Sequence, residues 1–484
     1  MAQMEKSKTK SRQRVHRKKV LTVLDQVDLG SISDSKHSEL YKKAEKISDA
    51  MLESLQKKNL AKSKFSYPDV VRQFAISLHN VSPAAYRYVR QALDFVLPDE
   101  STLRNWLRNV DVSTGFNKQS LNTLKDIVEN EKMLGKRVYC CLIADEMHLK
   151  SHISFNGHSF DGKVDLGEGE TGDDIATQAL VFMVNCINGS WKIPIAHFFI
   201  TKMSAEKRAN LIRKAIELLN DSGVITVSVT SDNPTCNWKM FEILGANLYD
   251  INPKVHLDIK NSLGIPVFVT LDACHLIKLV RNCFGDYAIL RNNLGEVISW
   301  DLIKRLHTLQ RDQGLHLANK IGQKHMNYRD NKMKVSLAVQ TLSNSVSKAL
   351  IFCKDTLKIP EFCDSGATAE FCSYFNQIFD FLNSMQMYGR GHKNSLSKTT
   401  IEFFTQFVDE ARAYILGLTH SDGKPVIKGL RRQAFLGFLV TMKSFLYIYK
   451  CYVQTSHLQY ILSFKFSQDH LETFFFECES LTRQ

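Results

Sequence analysis

Three short apolar stretches in the middle of the chain each end in an aspartate. They are RVYCCLIAD at 137–145, VITVSVTSD at 224–232 and IPVFVTLD at 265–272. Apolar, β-branched runs of this length predict buried strands. Segments with helical periodicity lie between these runs, which predicts parallel strands joined by crossover helices. The pattern therefore favours an α/β sheet.

A fourth apolar region predicts the other side of the sheet. TQALVFMVNCINGSWKIPIAHFFI at 177–200 contains two apolar runs joined through Asn188-Gly189, a typical hairpin signal. The following segment, 204–220, begins with Ser204 as a possible N-cap and has helical periodicity. We expect a sheet with a hairpin on one side and βαβ crossovers on the other.

The aspartates that end the strands are candidate metal ligands. Like charges at one edge of a sheet repel one another unless a cation lies between them, and Mg²⁺ prefers oxygen ligands. Asp145 and Asp232 are the best candidates. Each has a structural alternative as an Asx turn or a helix N-cap, and Asp232 before Asn233-Pro234 fits that alternative well. The two interpretations are about equally supported at this point.

The chain returns to acidic residues near its end, in SQDHLETFF. Asp469 and Glu472 are three residues apart and would share one face of a helix capped by Ser467. Asp469 could complement the helix dipole while Glu472 faces water. Phe475 and Phe476 are expected to pack in a core. Between 273 and 455 helical periodicity dominates, which predicts an all-α region.

The N-terminal part is basic. Net charge is +13, and residues 6–19 hold eight Lys or Arg and no acid. Such a tract is typical of a nuclear-localisation or phosphate-binding arm, or of a solvated tail. An apolar stripe that includes Ile47 and Met51 then predicts an amphipathic helix, which either forms a short coiled coil or docks on its own domain.

Residues 66–108 contain three short helical patterns, with Ser82-Pro83 at one helix start and Asp99 or Ser101 as the cap of the third helix. This arrangement suits a helix-turn-helix DNA-binding module, or an ordinary three-helix linker module. The candidate DNA-contacting residues are Arg72, Arg87, Arg90 and Arg104.

Composition excludes several classes of protein. No apolar run reaches the length of about 18 residues that a membrane span needs, and the start of the chain has no apolar signal segment. The eleven cysteines include no CxxC pair, which favours reduced thiols in the cytosol or nucleus. Charge favours the nucleus.

Several motifs, in order, resemble the P-element transposase family. They are LPDESTLRNW, CLIADEMHLK, TSDNPTCNWKMFEILG, LDACHLIKLVRN, KMKVSLAVQTLSNSVSKAL and SQDHLETFF. The resemblance implies an RNase H-like fold with a DDE catalytic set, interrupted by an all-α GTP-binding insertion. It also implies a Mg²⁺- or Mn²⁺-dependent transposase that acts on transposon ends and target DNA as a homo-oligomer in the nucleus.

The same resemblance assigns site residues. Asp145, Asp232 and Glu472 match the catalytic, metal-binding acids. Lys278 matches a lysine expected at the nucleotide phosphates, Asp272 opens its motif, Asp469 matches an aspartate that recognises guanine, and Asp330 is a further candidate for that pocket. The chain has no Walker A loop, so the residues alone do not predict GTP.

The implied organisation is a basic tail (1–32), an amphipathic helix (33–62), a helix-turn-helix module (63–115), the first part of the RNase H-like core (136–272), the helical insertion (273–455) and the last helix of the core (456–484).

The sequence departs from the family at both ends. It carries a basic segment where vertebrate relatives have a THAP-type zinc finger, and it ends twelve residues after Glu472. Two hypotheses follow. The chain is a transposase that uses GTP as a bound cofactor, or it is a catalytically inactive nuclear DNA-binding or regulatory protein derived from one.

Overall fold

The computed structural model describes residues 47, 49–51, 67–93, 95–108, 113–155, 160–167, 169–314, 317 and 319–482. The predicted basic tail, 1–32, lies outside these residues. The described chain divides into two compact units, the first within residues 1–112 and 481–484 and the second spanning 113–480. Each unit is described by itself.

The first unit is a small helical bundle with its own core. Its helices are α1 (Asp69–Val81), α2 (Pro83–Ala92) and α3 (Glu100–Arg108). The Ser82 hydroxyl accepts a hydrogen bond from the Ala85 N–H, and Pro83 occupies the first turn of α2, as predicted. Met51, 3% exposed, packs into this core with Ile47 beside it, so these two residues dock on their own unit.

The second unit combines one large sheet with many helices. Its helices are α4 (Lys118–Met133), α5 (Ala205–Asp221), α6 (Thr235–Ile243), α7 (Ala273–Tyr287), α8 (Trp300–Gln313), α9 (Gln323–Met326), α10 (Val335–Thr341), α11 (Asn344–Ile351), α12 (Gly366–Leu382), α13 (Ile401–Gly417), α14 (Gln433–Ile448) and α15 (Asp469–Thr482). Its strands are β1 (Gly115–Phe116), β2 (Tyr139–His148), β3 (Ser154–Phe155), β4 (Phe160–Asp161), β5 (Lys163–Asp165), β6 (Thr171–Ile175), β7 (Gln178–Cys186), β8 (Lys192–Ile200), β9 (Ile225–Ser231), β10 (His256–Lys260), β11 (Pro266–Leu271), β12 (Ile289–Arg291), β13 (Val297–Ser299), β14 (Leu396–Ser397), β15 (Thr419–His420) and β16 (Tyr460–Ile461).

The large sheet has the order β10-β11-β9-β2-β7-β8-β5-β6, with β1 paired to β8. Strands β2, β9 and β11 run parallel to one another, and β7 and β8 form an antiparallel hairpin beside β2. Ser204 caps α5 by accepting a hydrogen bond from the Lys207 N–H. The predicted sheet, with a hairpin on one side and crossovers on the other, is confirmed.

The helices after β11 share a continuous apolar core with the sheet. Helix α14 packs on β11, where the Thr441 hydroxyl accepts a hydrogen bond from the Leu271 N–H at 3.1 Å and the Ser444 hydroxyl donates to the Val269 carbonyl. Gly437 allows the close approach to α7, because an added Cβ would collide with Leu276.

Residues Gln433–Val453 form one helix that is long and apolar enough to cross a membrane by length and composition, contrary to the expectation from unbroken apolar runs. In the structure 72% of its most apolar window is buried. Core helices pass the same test, so the length and composition are weak support for a membrane span.

Candidate active site

Asp145 and Asp232 lie side by side at one edge of the sheet. In the parallel pair β2 and β9, Ile143 is opposite Thr230. Asp145 and Asp232 each follow two residues later, so the register brings both acids to the same level. The strand positions predicted from the sequence therefore place the two carboxylates together.

The environment of Asp145 opposes its charge. Its side chain lies among the lining residues of a small recess, and one carboxylate oxygen accepts a hydrogen bond from the Glu146 N–H at 2.9 Å. Burial, and then the negative charge of Asp232, raises the pKa of Asp145 to about 7. The positive charge of His275 acts in the opposite direction.

Asp232 is held by a side chain of the next helix. Its Oδ1 accepts a hydrogen bond of 2.6 Å from the Asn237 amide. Burial raises the pKa of this carboxyl, and the charge of Glu146 adds to the effect. Pro234 is the N-cap of α6, and no side chain caps that helix. Asp232 is therefore not a helix cap, contrary to the structural alternative considered for it.

Glu472 lies on the first turn of α15 and is exposed. Its charge contributes to the raised pKa of Asp145, which ties it electrostatically to the strand acids. Across the part of the chain that the structure describes, no group of three or more His, Cys, Asp or Glu side chains is arranged to hold a metal ion. Asp145 and Asp232 therefore lie together at the sheet, whereas Glu472 does not complete a three-residue metal site with them among the described residues.

The donor chemistry at the sheet edge nevertheless fits a divalent cation. Two neighbouring carboxylates whose charge is opposed by burial gain from a hard cation, which accepts oxygen ligands and water. Asp145 and Asp232 would hold this ion, and Glu472 is the third candidate.

Asp272 connects the acidic helix to the sheet, a role the sequence analysis missed. Its side chain is fully buried at the N-cap of α7, and Oδ1 accepts hydrogen bonds from the Gln468 N–H at 3.0 Å and the Ser467 hydroxyl at 3.2 Å. Gln468 donates in turn to the Ala144 carbonyl at 2.9 Å. These bonds fix the start of α15 beside the residue that precedes Asp145.

His275 is a second residue that sequence reasoning did not assign. Its ring Nδ1 lies 3.0 Å from Asp272 Oδ2, which also accepts a hydrogen bond from the His275 N–H. Burial disfavours the charged ring, but the Asp272 carboxylate outweighs burial and raises the pKa of His275. The same contacts outweigh burial at Asp272 and hold its pKa below the usual range. In its protonated form the His275 ring lowers the pKa values of both Asp145 and Asp232.

The predicted nucleotide residues are arranged along α7. Asp469 Oδ2 lies 3.7 Å from the Cys274 sulfur, in the first turn of this helix. Lys278 follows Cys274 by four residues and so shares its helix face. Lys278 is 6% exposed, and within the described ranges no hydrogen bond or ion pair of its ammonium is found. Burial, and then the charge of Asp272, raises the pKa of Asp469.

Asp330 lies near the same helix, on an exposed turn at Tyr328–Asn331. Arg281, one turn beyond Lys278, donates hydrogen bonds to the carbonyls of Asn331 at 3.1 Å and Lys332 at 3.2 Å. These bonds dock the turn on α7, although they do not bring Asp330 itself into contact with Lys278.

The four arginines of the helical unit differ in their contacts. Arg90 donates to the Leu97 carbonyl and pairs with Asp99 at 3.1 Å, and Arg72 lies over the Trp106 ring at 4.8 Å. Arg87 and Arg104 are exposed, and Arg87 donates to the Pro83 carbonyl at 3.3 Å and pairs with Glu100 at 3.5 Å. Arg72 and Arg90 stabilise the module, while the exposed side chains of Arg87 and Arg104 are more accessible to a ligand.

Three family models match the sequence. They are the transposable element P transposase-like HTH domain at 28–106, the TNP-like RNase H N-terminal domain at 112–245 and the TNP-like GTP-binding insertion domain at 274–395. Asp272, Asp469 and Glu472 lie outside the matched ranges.

Two curated proteins are similar over most of this chain. It is 32% identical over 415 residues to the Homo sapiens DNA transposase THAP9, and 27% identical over 415 residues to the transposable element P transposase of Drosophila melanogaster. The alignments cover 84% and 83% of this chain but 45% and 49% of these relatives. The chain thus spans about half their length.

A solved structure shares the fold. The Drosophila P element transposase strand transfer complex matches with a TM-score of 0.70 and 24% identity, over 90% of this chain and 92% of that chain. The fold predicted from the sequence, an RNase H-like core with an insertion domain and an N-terminal helix-turn-helix domain, is confirmed. The expectation that 273–455 is all-α was wrong in detail, because the short strands β12, β13 and β15 form a small sheet there. With its helix-turn-helix, RNase H-like and GTP-binding insertion domains in that order, the chain belongs to the P-element transposase family.

Proposed function

We propose that this protein cleaves DNA and transfers the cleaved strand, with Asp145, Asp232 and Glu472 as its catalytic acids. The observation that carries the proposal is the pair Asp145 and Asp232, brought to one level by the register of the parallel strands β2 and β9, with raised pKa values. Acids with perturbed pKa values concentrate at functional sites.

A bound Mg²⁺ or Mn²⁺ would activate the attacking oxygen and stabilise the leaving oxygen of a phosphodiester. Water is the attacking group in cleavage, and the freed 3′-hydroxyl is the attacking group in strand transfer. Asp145 and Asp232 would hold this ion through their carboxylates, because two carboxylates alone would repel the anionic phosphate. Without a cation, the Asp145 carboxyl holds a proton up to about pH 7, so loading the site releases a proton.

GTP is proposed as a bound cofactor between α7 and the start of α15. Lys278 supplies a buried positive charge for the phosphates. Asp469, at the start of α15, lies 3.7 Å from the sulfur of Cys274, which shares the α7 face of Lys278. Its carboxylate can accept two hydrogen bonds from the guanine N1 and N2 donors. Asp330 is proposed for the same pocket. Asp272 is proposed to hold α7 and the start of α15 together through its hydrogen bonds to the His275 and Gln468 N–H groups.

DNA is the proposed partner, both as transposon ends and as target. Arg87 and Arg104 are the exposed basic residues of the helix-turn-helix unit, and Arg72 and Arg90 shape its surface. Nuclear localisation and homo-oligomerisation complete the proposal, since the substrate is chromosomal and two ends must be joined.

The second candidate function is a non-catalytic nuclear DNA-binding or regulatory protein. The exposure of Glu472, outside a metal-holding arrangement in the described residues, favours this alternative. The transposase function requires that Asp145, Asp232 and Glu472 act in catalysis, and the regulatory function does not. Both functions require that the helix-turn-helix unit binds DNA.

Cleavage of candidate terminal-repeat duplexes in Mg²⁺ and GTP separates them. The wild type should nick the duplex, and Asp145→Ala and Glu472→Ala should not, while all three bind DNA equally. Equal background cleavage by all three proteins would support the non-catalytic function.

A further inference from the structure

A buried arginine lines the same recess as the candidate metal-binding acids. Arg208 of α5 is 7% exposed, and its guanidinium forms an ion pair with Glu146 of β2. The Arg208 Nη1 that contacts Glu146 also donates a hydrogen bond to Asn237 Oδ1 at 3.3 Å. The Arg208 Nε donates to the Met203 carbonyl at 3.5 Å. A charge this deeply buried requires its partners, because removing one leaves an uncompensated ion.

Asn237 links Arg208 to Asp232 of the candidate metal site. Its Oδ1 accepts from Arg208, so its Nδ2 is directed to Asp232 Oδ1 at 2.6 Å. An amide with one end fixed by a guanidinium can present only its donor to Asp232. The result is a continuous path from Glu146 through Arg208 and Asn237 to Asp232, across β2, α5 and α6.

Glu146 lies at the other end of this chain of contacts, where it pairs with Arg208. Glu146, Arg208 and Asn237 line the same small recess as Asp145 and Asp232. The ion pair with Arg208 therefore restrains β2 at the residue that directly follows Asp145. One network restrains both strand acids.

We propose that Arg208 and Asn237 are positioning residues that hold the Asp232 carboxylate in one orientation, with Oδ1 occupied by hydrogen bonding and Oδ2 left for a divalent cation. The role rests on the proposed function, in which Asp232 is a metal ligand. Residues that orient metal ligands typically contribute 10- to 100-fold to metal affinity.

Mn²⁺ binding to the full chain, followed by calorimetry and by the electron paramagnetic resonance of the bound ion, tests this role without any need for activity. Asn237→Ala removes the donor to Asp232, and we expect Mn²⁺ affinity to fall about tenfold or more. Arg208→Lys keeps the positive charge but loses the planar guanidinium with its several donors, and we expect a smaller loss of Mn²⁺ affinity than for Asn237→Ala. Lys214→Ala, an exposed cation on the same helix, should bind Mn²⁺ as the wild type does.

The outcomes separate the two proposals. Wild-type protein that binds Mn²⁺ and cleaves DNA, with equal affinity in folded Asn237→Ala and Arg208→Lys, overturns the positioning role alone. Wild-type protein that neither binds Mn²⁺ nor cleaves overturns the proposed function and this role with it. If Asn237→Ala fails to fold, Arg208→Lys decides the question by the same comparison.

Discussion

Replacing Asp145 with asparagine should stabilise the metal-free protein, in spite of removing a catalytic acid. Burial and the charge of Asp232 raise the pKa of Asp145 from 3.8 to about 7. In the unfolded chain the carboxyl ionises near its ordinary value, so ionisation in the folded state costs free energy that grows with pH between these two pKa values. Asparagine avoids this cost and can still accept the Glu146 N–H.

The pKa difference sets the size of the effect. At about 1.36 kcal/mol per pKa unit, the cost is at most about 4 kcal/mol at pH 8 and about 1.6 kcal/mol at pH 5. For a unit of this size, these values correspond to a rise in Tm of about 5 °C at pH 8 and about 2 °C at pH 5. The stabilisation must therefore increase with pH.

Thermal unfolding of the metal-free wild type and Asp145→Asn at both pH values measures this directly. Asp364→Asn, an exposed acid in the same unit, is the matched control and should change Tm little at either pH. Adding Mg²⁺ should raise the Tm of the wild type and have little effect on Asp145→Asn. A variant whose Tm is unchanged, or that gains more at pH 5 than at pH 8, would refute the electrostatic account of the site.

Four further substitutions test other parts of the structure. Asp272→Asn should destabilise by about 2–4 kcal/mol in urea unfolding at pH 7, because it breaks a buried ionic hydrogen-bond network. Because the folded-state pKa of Asp272 lies below its ordinary value, the wild-type advantage should be full above about pH 4 and should shrink as pH falls through the folded-state pKa. An advantage that grows as the pH falls would contradict this assignment. Lys278→Ala should weaken GTP binding in a fluorescence titration, and Asp469→Asn should reduce the preference for GTP over ATP; unchanged binding by both removes the proposed pocket. Ser82→Ala should lower protection of the α2 amides in hydrogen exchange by about 1 kcal/mol, and unchanged protection would show that the cap contributes nothing.

Local signals explain which elements the sequence predicted well. Continuous apolar runs predicted β2, β9 and β11, and Ser204 and Ser82-Pro83 predicted helix starts that the structure contains. The short polar strand β10, HLDIK, carries no comparable pattern, because its strand state depends on pairing with β11. Phe475 is buried as expected, whereas the expectation for Phe476 was wrong, since it is 72% exposed and faces away from the core.

The site itself depends on contacts between residues that are distant in sequence. Asp145 and Asp232 could be predicted because each ends an apolar run, and parallel strands bring such positions to one level, although β2 continues beyond Asp145 to His148. The bond between Asp272 and Gln468 joins residues 196 positions apart, and nothing local to either residue predicts it. The path through Arg208 and Asn237 likewise depends on how two helices pack on the sheet.

Strand transfer from a pre-cleaved end tests the central claim most directly. A labelled duplex with a free 3′-hydroxyl at a candidate terminal repeat would be incubated with supercoiled plasmid, Mg²⁺ and GTP. The proposed function predicts that the wild type joins the label to the plasmid and that Asp145→Asn and Glu472→Gln, though folded and able to bind DNA, do not. No joined product with the wild type, or equal product with all three proteins, would contradict it.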